Sequence, residues 1–222
     1  MSRAKPWDDV VPQSDRVGFG VRADSIAASR RTAVLVVDMT RAFVDSAYPT
    51  GWSETGWPAT EACAALLEVA RSKGLPIYYT KAFPITGQVT TPQEQGLWRG
   101  VDPETSDDLP PGDVIVEPIA PKAGDVVIFK GSKPSAFFGT PLMSYLTHAG
   151  VDAVIVAGMT TSGCVRATVV DAFQANLNVV VPFECVADRS QISHKVSLFD
   201  MHMKYADVVS LDETLEWIAA IG

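Results

Sequence analysis

The stretch Asp152 to Asn176, DAVIVAGMTTSGCVRATVVDAFQAN, constrains the fold most, because its periodicity changes part-way along. Ala153 to Ala157 is a short apolar run with β-branched side chains, the length and character of a strand buried on both faces. A polar turn follows, from Gly158 to Gly163. From Cys164 onward the pattern is helical, with Val165, Thr168, Val169, Ala172 and Ala175 at three- and four-residue spacing. Cys164 is therefore expected at the N-terminus of a helix fed by a central strand. Unpaired backbone N–H groups and the helix dipole favour negative charge there. A thiol so placed is expected to have a lowered pKa and nucleophilic character. The competing reading is a small buried cysteine that only packs.

The rest of the chain repeats the alternation. Residues 1–31 carry Pro6, Pro12 and a Gly18-Phe19-Gly20 punctuation, and read as an irregular arm over the domain or a neighbouring subunit. Residues 32–222 read as one domain. Ala33 to Val37 is a buried strand ending in Asp38. A loop from Asp45 to Pro58 holds Trp52 and Trp57. Thr60 is expected to cap a helix running to Ser72 and stopped by Gly74, with Cys63 packed inside it. Leu75 to Thr80 is a second strand. Lys81 to Pro121 is a long Pro- and Gly-rich segment containing Trp98, of the kind that forms lids or interfaces. Asp125 to Phe129 is a third strand with Lys130 just past its end, and a helix follows to about Ala149. After the cysteine unit come a strand from Asn178 to Phe183, a loop with Asp188 and Arg189, and a helix from Ile192 to Tyr205 with Val196, Phe199 and Met203 inward. A short strand at Val208 and Val209 and a helix from Glu213 to Ile221 complete the chain. Six strands alternating with helices predict an α/β three-layer sandwich, doubly wound on a mostly parallel sheet.

Composition narrows the partners. The 222 residues are 47% hydrophobic, enough for one sizeable core. Net charge is −8, without a basic face, which argues against nucleic acid. Three cysteines, Cys63, Cys164 and Cys185, are too few for a disulfide framework and suit a reducing compartment. The N-terminus lacks the apolar region of a signal peptide, and no apolar stretch reaches the ~20 residues of a membrane span. A cytoplasmic location is expected.

In such a sheet the ends of the strands bearing Asp38, Lys130 and Cys164 converge, where ligands bind. Asp38 can accept the thiol proton, Lys130 can supply the nearby positive charge, and the Thr160–Cys164 turn can offer N–H groups to an oxyanion. The chemistry implied is acyl transfer through a thioester. Taken singly, Asp38 is equally a helix cap or surface acid, and Lys130 an ordinary solvated lysine. Other chemistries lack their motifs: there is no G-x-S-x-G, G-x-G-x-x-G or P-loop. His148, His194 and His202 show no metal-ligand spacing, and a Cys164–His194 dyad is the minor alternative.

These motifs resemble the isochorismatase-like cysteine hydrolases, especially the branch of N-carbamoylsarcosine amidases and maleamate amidohydrolases. The likeness rests on VLVVD ending at Asp38, Lys130 before PSAFFGT, TTSGCVRA from Thr160 to Ala167, the Val186–Arg189 loop, and LFDM with KYADV from Leu198 to Val208. It runs from about Gly18 to Ser210. The resemblance implies that Cys164 attacks a carboxamide carbon, Asp38 shuttles the proton to departing ammonia, and Lys130 orients the pair. It implies a cis Met159–Thr160 bond that aims the amides of Thr160 and Cys164 at the oxyanion. It implies a pocket with Phe43 on its wall, Thr161 beside the substrate and Arg189 on a substrate carboxylate. No metal or other cofactor and a homo-oligomer, dimer or tetramer, are expected, with a small, anionic amide as substrate and no membrane partner.

Three departures stand out. Lys130 lies six residues before Ala136, where close relatives have five, which leaves Lys133 as a competitor. Phe83 to Leu109 lacks the histidine pattern of the metal-binding nicotinamidase branch. Trp52 and Trp57 belong to no family motif. Two readings therefore remain beside the acidic-amide hydrolase: a relative acting on a bulkier or neutral amide or ester, and a non-catalytic receiver-like module, which leaves Cys164 unexplained.

Overall fold

The computed structural model describes residues 5–18, 31–81 and 109–221. Seven strands, all paired in parallel, form one sheet: β1 (Thr32–Val37), β2 (Ile77–Lys81), β3 (Val126–Phe129), β4 (Ala153–Met159), β5 (Asn178–Pro182), β6 (Val186–Ala187) and β7 (Asp207–Val209). The order is β3-β2-β1-β4-β5-β7, and β6 pairs with β4 beyond the stretch that β5 covers. The winding reverses between β1 and β4, so the crevice at their carboxyl ends is the favoured ligand position in an open α/β sheet.

Among the described residues the helices are α1 (Gln13–Gly18), α2 (Arg41–Val44), α3 (Ser53–Ser72), α4 (Leu142–His148), α5 (Arg166–Gln174), α6 (Gln191–Lys204) and α7 (Leu211–Ala220). Alternate residues of β1 feed two cores. Ala33, Leu35 and Val37 pack with Leu142, Leu146, Val169, Leu198 and Met201 of α4, α5 and α6. Val34 and Val36 pack with Leu66, Leu67 and Ile218 of α3 and α7. Every residue of β1 and β4 is buried, as a strand with both faces covered by helices requires. The three-layer α/β/α expectation is met.

Several local expectations change. Helix α3 begins at Ser53, inside the segment expected to be a loop, and contains Pro58. Proline lacks the N–H that would bond the carbonyl of Glu54, a local cost. Tertiary packing holds this first part in place: Gly56 lies so close to α2 that a Cβ would stand 2.8 Å from the Val44 carbonyl oxygen. Thr60 is therefore interior, and its hydroxyl bonds the Gly56 carbonyl at 2.8 Å rather than capping a helix. Trp52 is exposed at the helix start, and Trp57 packs against the α3-side core. On α6, Phe199 is buried as expected and Met203 partly buried, but Val196 is exposed. The inward face is centred on Leu198, Met201 and His202, at the three- and four-residue spacing that excludes Val196. A short strand, β6, was not expected; a 3-10 turn at Phe183–Cys185 separates it from β5.

The described part of the N-terminal arm lies on its own chain and includes α1 where irregular structure was expected. Trp7 is buried against Phe199 and His202, and Lys5 donates to the Val208 carbonyl at 3.3 Å. Of the long segment, the described end carries a 3-10 turn at Glu117–Ile119 and a bridge from Ile115 to Thr40. Phe19, Gly20, Trp98 and nearly all of the Phe83–Leu109 loop lie outside the described residues. Among the described residues no helix is long and apolar enough to cross a membrane.

Gly158 adopts φ +117° near the end of β4, and a Cβ there would collide with the backbone of Val37 on β1. Gly158→Ala is expected to destabilise the fold by about 3 kcal/mol or more. Urea unfolding measures it, as a lowered midpoint at unchanged slope.

Candidate active site

The site is assembled from the ends of four neighbouring strands. The chain turns sharply as it leaves β1, and Asp38 takes φ +48°, a conformation uncommon for any residue but less so for aspartate. The hydroxyl of Thr80, on β2, holds it there. Thr80 Oγ1 accepts the Asp38 N–H at 3.2 Å and donates to Asp38 Oδ1 at 2.8 Å. From β3, on the far side of β2, Lys130 Nζ reaches Asp38 Oδ2 at 2.8 Å. Both side chains are almost wholly withdrawn from solvent, 1% and 0% exposed. The same ammonium donates to the Lys133 carbonyl at 2.6 Å and stands 3.6 Å from Cys164 Sγ. The ammonium thus stands in contact with three groups, a carboxylate, a carbonyl and a sulfur. Lys130 contacts Asp38 Oδ2 as an ion pair without the alignment of a hydrogen bond, which leaves that oxygen open to accept a proton.

The register question is answered by these contacts: Lys130 makes the ion pair, and Lys133 contributes its carbonyl. Lys133 also lines an open cleft with Ser135, Phe138, Ser162 and Arg166.

Cys164 lies in a π-helical turn, Thr161–Val165, that precedes α5. The wide turn is seen in the bond from Val165 N–H to the Thr160 carbonyl, five residues back, at 3.1 Å. Such turns recur at functional sites. The Met159–Thr160 peptide is cis, as the resemblance implied. Thr168 takes the Cys164 carbonyl at 2.7 Å and accepts the Ala136 N–H at 3.0 Å, tying the turn to the segment after Lys130.

The expected low thiol pKa is overturned. Burial, reinforced by the charge of Asp38 and a hydrogen bond with it, pushes the Cys164 thiol up to about 12, and Lys130 offsets this only in part. A helix-terminus argument counts the favourable backbone dipole but not the loss of water around sulfur. The raised pKa favours the thiol form, and the group it meets is the Asp38 carboxylate.

The other expected residues are placed as follows. Thr160 is half-buried. Thr161 is fully buried, its hydroxyl 2.8 Å from His194 Nδ1. Phe43 is buried on α2 with the α3-side core, and Arg189 is exposed. The imidazole of His194 therefore has Thr161, and not Cys164, as its hydrogen-bond partner; burial lowers its pKa. Cys63 is buried and donates to the Cys185 carbonyl, a packing role. Among the described residues no group of three or more His, Cys, Asp or Glu could hold a metal. Sequence reading missed Thr80, whose only signal is a hydroxyl at the carboxyl end of an otherwise apolar strand. It quoted Asp188 without a role; this buried carboxylate accepts from Ser162 N and Oγ at 2.8 and 2.7 Å.

A thiol held protonated labels slowly at neutral pH. The rate of Cys164 alkylation by iodoacetamide is expected to climb about tenfold per pH unit, with no levelling in the ordinary thiol range of about 8–9. Mass spectrometry of timed samples follows it, and a plateau near neutrality would mean that the sulfur is ionised at rest.

Residues 32–213 match the isochorismatase domain family. The chain is 35% identical over 207 residues to a maleamate amidohydrolase of Pseudomonas putida, covering 92% of this chain and 95% of that one. It is 32% identical over 212 residues to an N-carbamoylsarcosine amidase of Arthrobacter sp., covering 93% and 75%. The crystal structure of N-carbamoylsarcosine amidase from Thermoplasma acidophilum superposes with a TM-score of 0.67 at 28% identity, over 82% of this chain and 97% of that one. A matched domain over most of the chain, on a doubly wound sheet with Asp38, Lys130 and Cys164 at its carboxyl edge, makes this chain a hydrolase of the isochorismatase family.

Proposed function

We propose that the protein is an amidohydrolase that cleaves the C–N bond of a small, carboxylate-bearing amide or ureido compound and releases ammonia. The observation that carries this reading is the contact set of Lys130, which stands at once on Asp38 Oδ2 and Cys164 Sγ. The likeness to a maleamate amidohydrolase and an N-carbamoylsarcosine amidase supports the substrate class.

With its pKa raised to about 12, Cys164 does not attack as a preformed thiolate. Its proton passes to Asp38 Oδ2 as sulfur adds to the carbonyl carbon. Lys130 holds the carboxylate and stabilises the developing sulfur charge. The amides of Thr160 and Cys164 hold the oxyanion. Collapse of the adduct breaks the C–N bond, and the nitrogen leaves as ammonia with the proton from Asp38. Water then adds to the thioester or thiocarbamate and gives a proton to Asp38. The sulfur departs and regains it. The net reaction consumes one amide and one water, and yields one acid and one ammonia. Arg189 binds the substrate carboxylate in a two-pronged contact, which its exposed position after β6 allows. Phe43 on the pocket wall and Thr161 beside the substrate would act from buried positions, by shaping the site. Three unpaired thiols fit a reducing, cytoplasmic setting, and the working form is a homo-oligomer.

Ammonia release from N-carbamoylsarcosine, maleamate, nicotinamide and a neutral aliphatic amide tests the reading. Turnover is expected with an acidic amide and lost in Cys164→Ala. Arg189→Ala should raise KM for that substrate by about 10- to 100-fold, the scale of a hydrogen bond to a charge. Turnover of the neutral amide alone would point to a different branch of the family. Thr80→Val should lower kcat about tenfold with KM little changed, because it frees the Asp38 carboxylate to rotate, and Thr80→Ser should restore it.

A further inference from the structure

The segment after β5 touches the nucleophile turn at several points, and Asp188 is its centre. Val186 and Ala187 pair with Gly158 and Met159, immediately before the cis peptide. The buried Asp188 carboxylate then takes both the N–H and the O–H of Ser162, at 2.8 and 2.7 Å. Ser162 is two residues before Cys164 in the π-helical turn. The backbone carbonyl of Asp188 accepts from Thr55 on α3 at 3.1 Å and from Gln191 at the start of α6 at 3.3 Å. One turn into α6, His194 meets Thr161. The reaction above gives Asp188 no part, yet the next residue is Arg189.

We propose that Asp188 is a positioning residue that couples Arg189 to the nucleophile turn and fixes the distance between anion clamp and sulfur. The proposal rests on the reading of Arg189 as the carboxylate ligand. A short substrate anchored by its carboxylate must present its carbonyl carbon to sulfur at about 3–3.5 Å, and an error near 1 Å costs on the order of a hundredfold in rate. Clamp and nucleophile sit on different strand–loop units. A path of one covalent link and the Asp188–Ser162 hydrogen bonds joins Arg189 to the cysteine turn.

A double-mutant cycle on the full chain tests this, using Ser162→Ala, Arg189→Ala and both together, read as kcat and KM for the acidic amide. Both residues are exposed, so the cycle does not depend on a variant that fails to fold. Ser162→Ala is expected to lower kcat about tenfold and Arg189→Ala to act mainly on KM. The double variant should depart from the product of the two effects on kcat/KM by at least about threefold. Agreement with that product within about twofold, with KM raised in Arg189→Ala, overturns the coupling and leaves the clamp standing. An unchanged KM in Arg189→Ala overturns the clamp itself and the coupling with it. Asp188→Asn keeps an acceptor for Ser162 and should recover most of the kcat lost in Asp188→Ala; equal loss in both would mean that the charge matters rather than the placement. The same cycle is read without turnover from the ratio of Cys164 labelling by iodoacetate, which carries a carboxylate, to that by iodoacetamide, which does not.

Discussion

The ion pair between Lys130 and Asp38 organises the site. Two opposite charges, both withdrawn from water, face each other at 2.8 Å across the carboxyl edge of the sheet. Breaking a buried pair by removing one member leaves the other charge without compensation, which costs on the order of 3–5 kcal/mol. The pair is possible because the strand order places β2 between β3 and β1. Lys130 spans that gap, and Thr80 fills it from β2 by taking the second carboxylate oxygen. Once the ammonium is anchored by Asp38 and the Lys133 carbonyl, its remaining contact sets where sulfur can sit.

Burial also shapes the chemistry proposed for Cys164. Burial and the neighbouring Asp38 push the pKa of the partly buried Cys164 thiol up to about 12. In such a place the acceptor must be poised beforehand, because a free thiolate is scarce. In the proposed reaction Asp38 meets that need: Lys130 holds its Oδ2 by charge, and the thiol lies in hydrogen-bond contact with the carboxylate. The dry environment that suppresses the thiolate also strengthens any dipole or charge that stabilises the developing negative charge.

Much of the layout was legible in the sequence because buried parallel strands write themselves as short apolar runs. The six main strands, and the polar residues ending three of them, follow from that pattern. The errors share a cause. Pro58 and the loop-like composition around it argue against a helix, but the segment is helical and packs with Gly56 close against Val44 of α2. Val196 reads as apolar and inward, yet it falls off the face that α6 turns to the core. The dipole argument for Cys164 missed burial, a property of the whole neighbourhood. Thr80 and Asp188 escaped assignment because a single hydroxyl or carboxylate has no periodicity to betray its partner.

The sequence by itself determined the order of the main strands and helices and which polar residues, Asp38, Lys130 and Cys164, end up at the carboxyl edge of the sheet, because periodicity and strand-end position are local properties. Only the tertiary structure decided that Lys130 rather than Lys133 faces Asp38, that Thr80 bonds the carboxylate, and that Asp188 bonds Ser162 in the turn before Cys164. It also decided that burial and Asp38 raise the pKa of the thiol. Each of these depends on distances between residues far apart in the chain and on the water excluded when they meet.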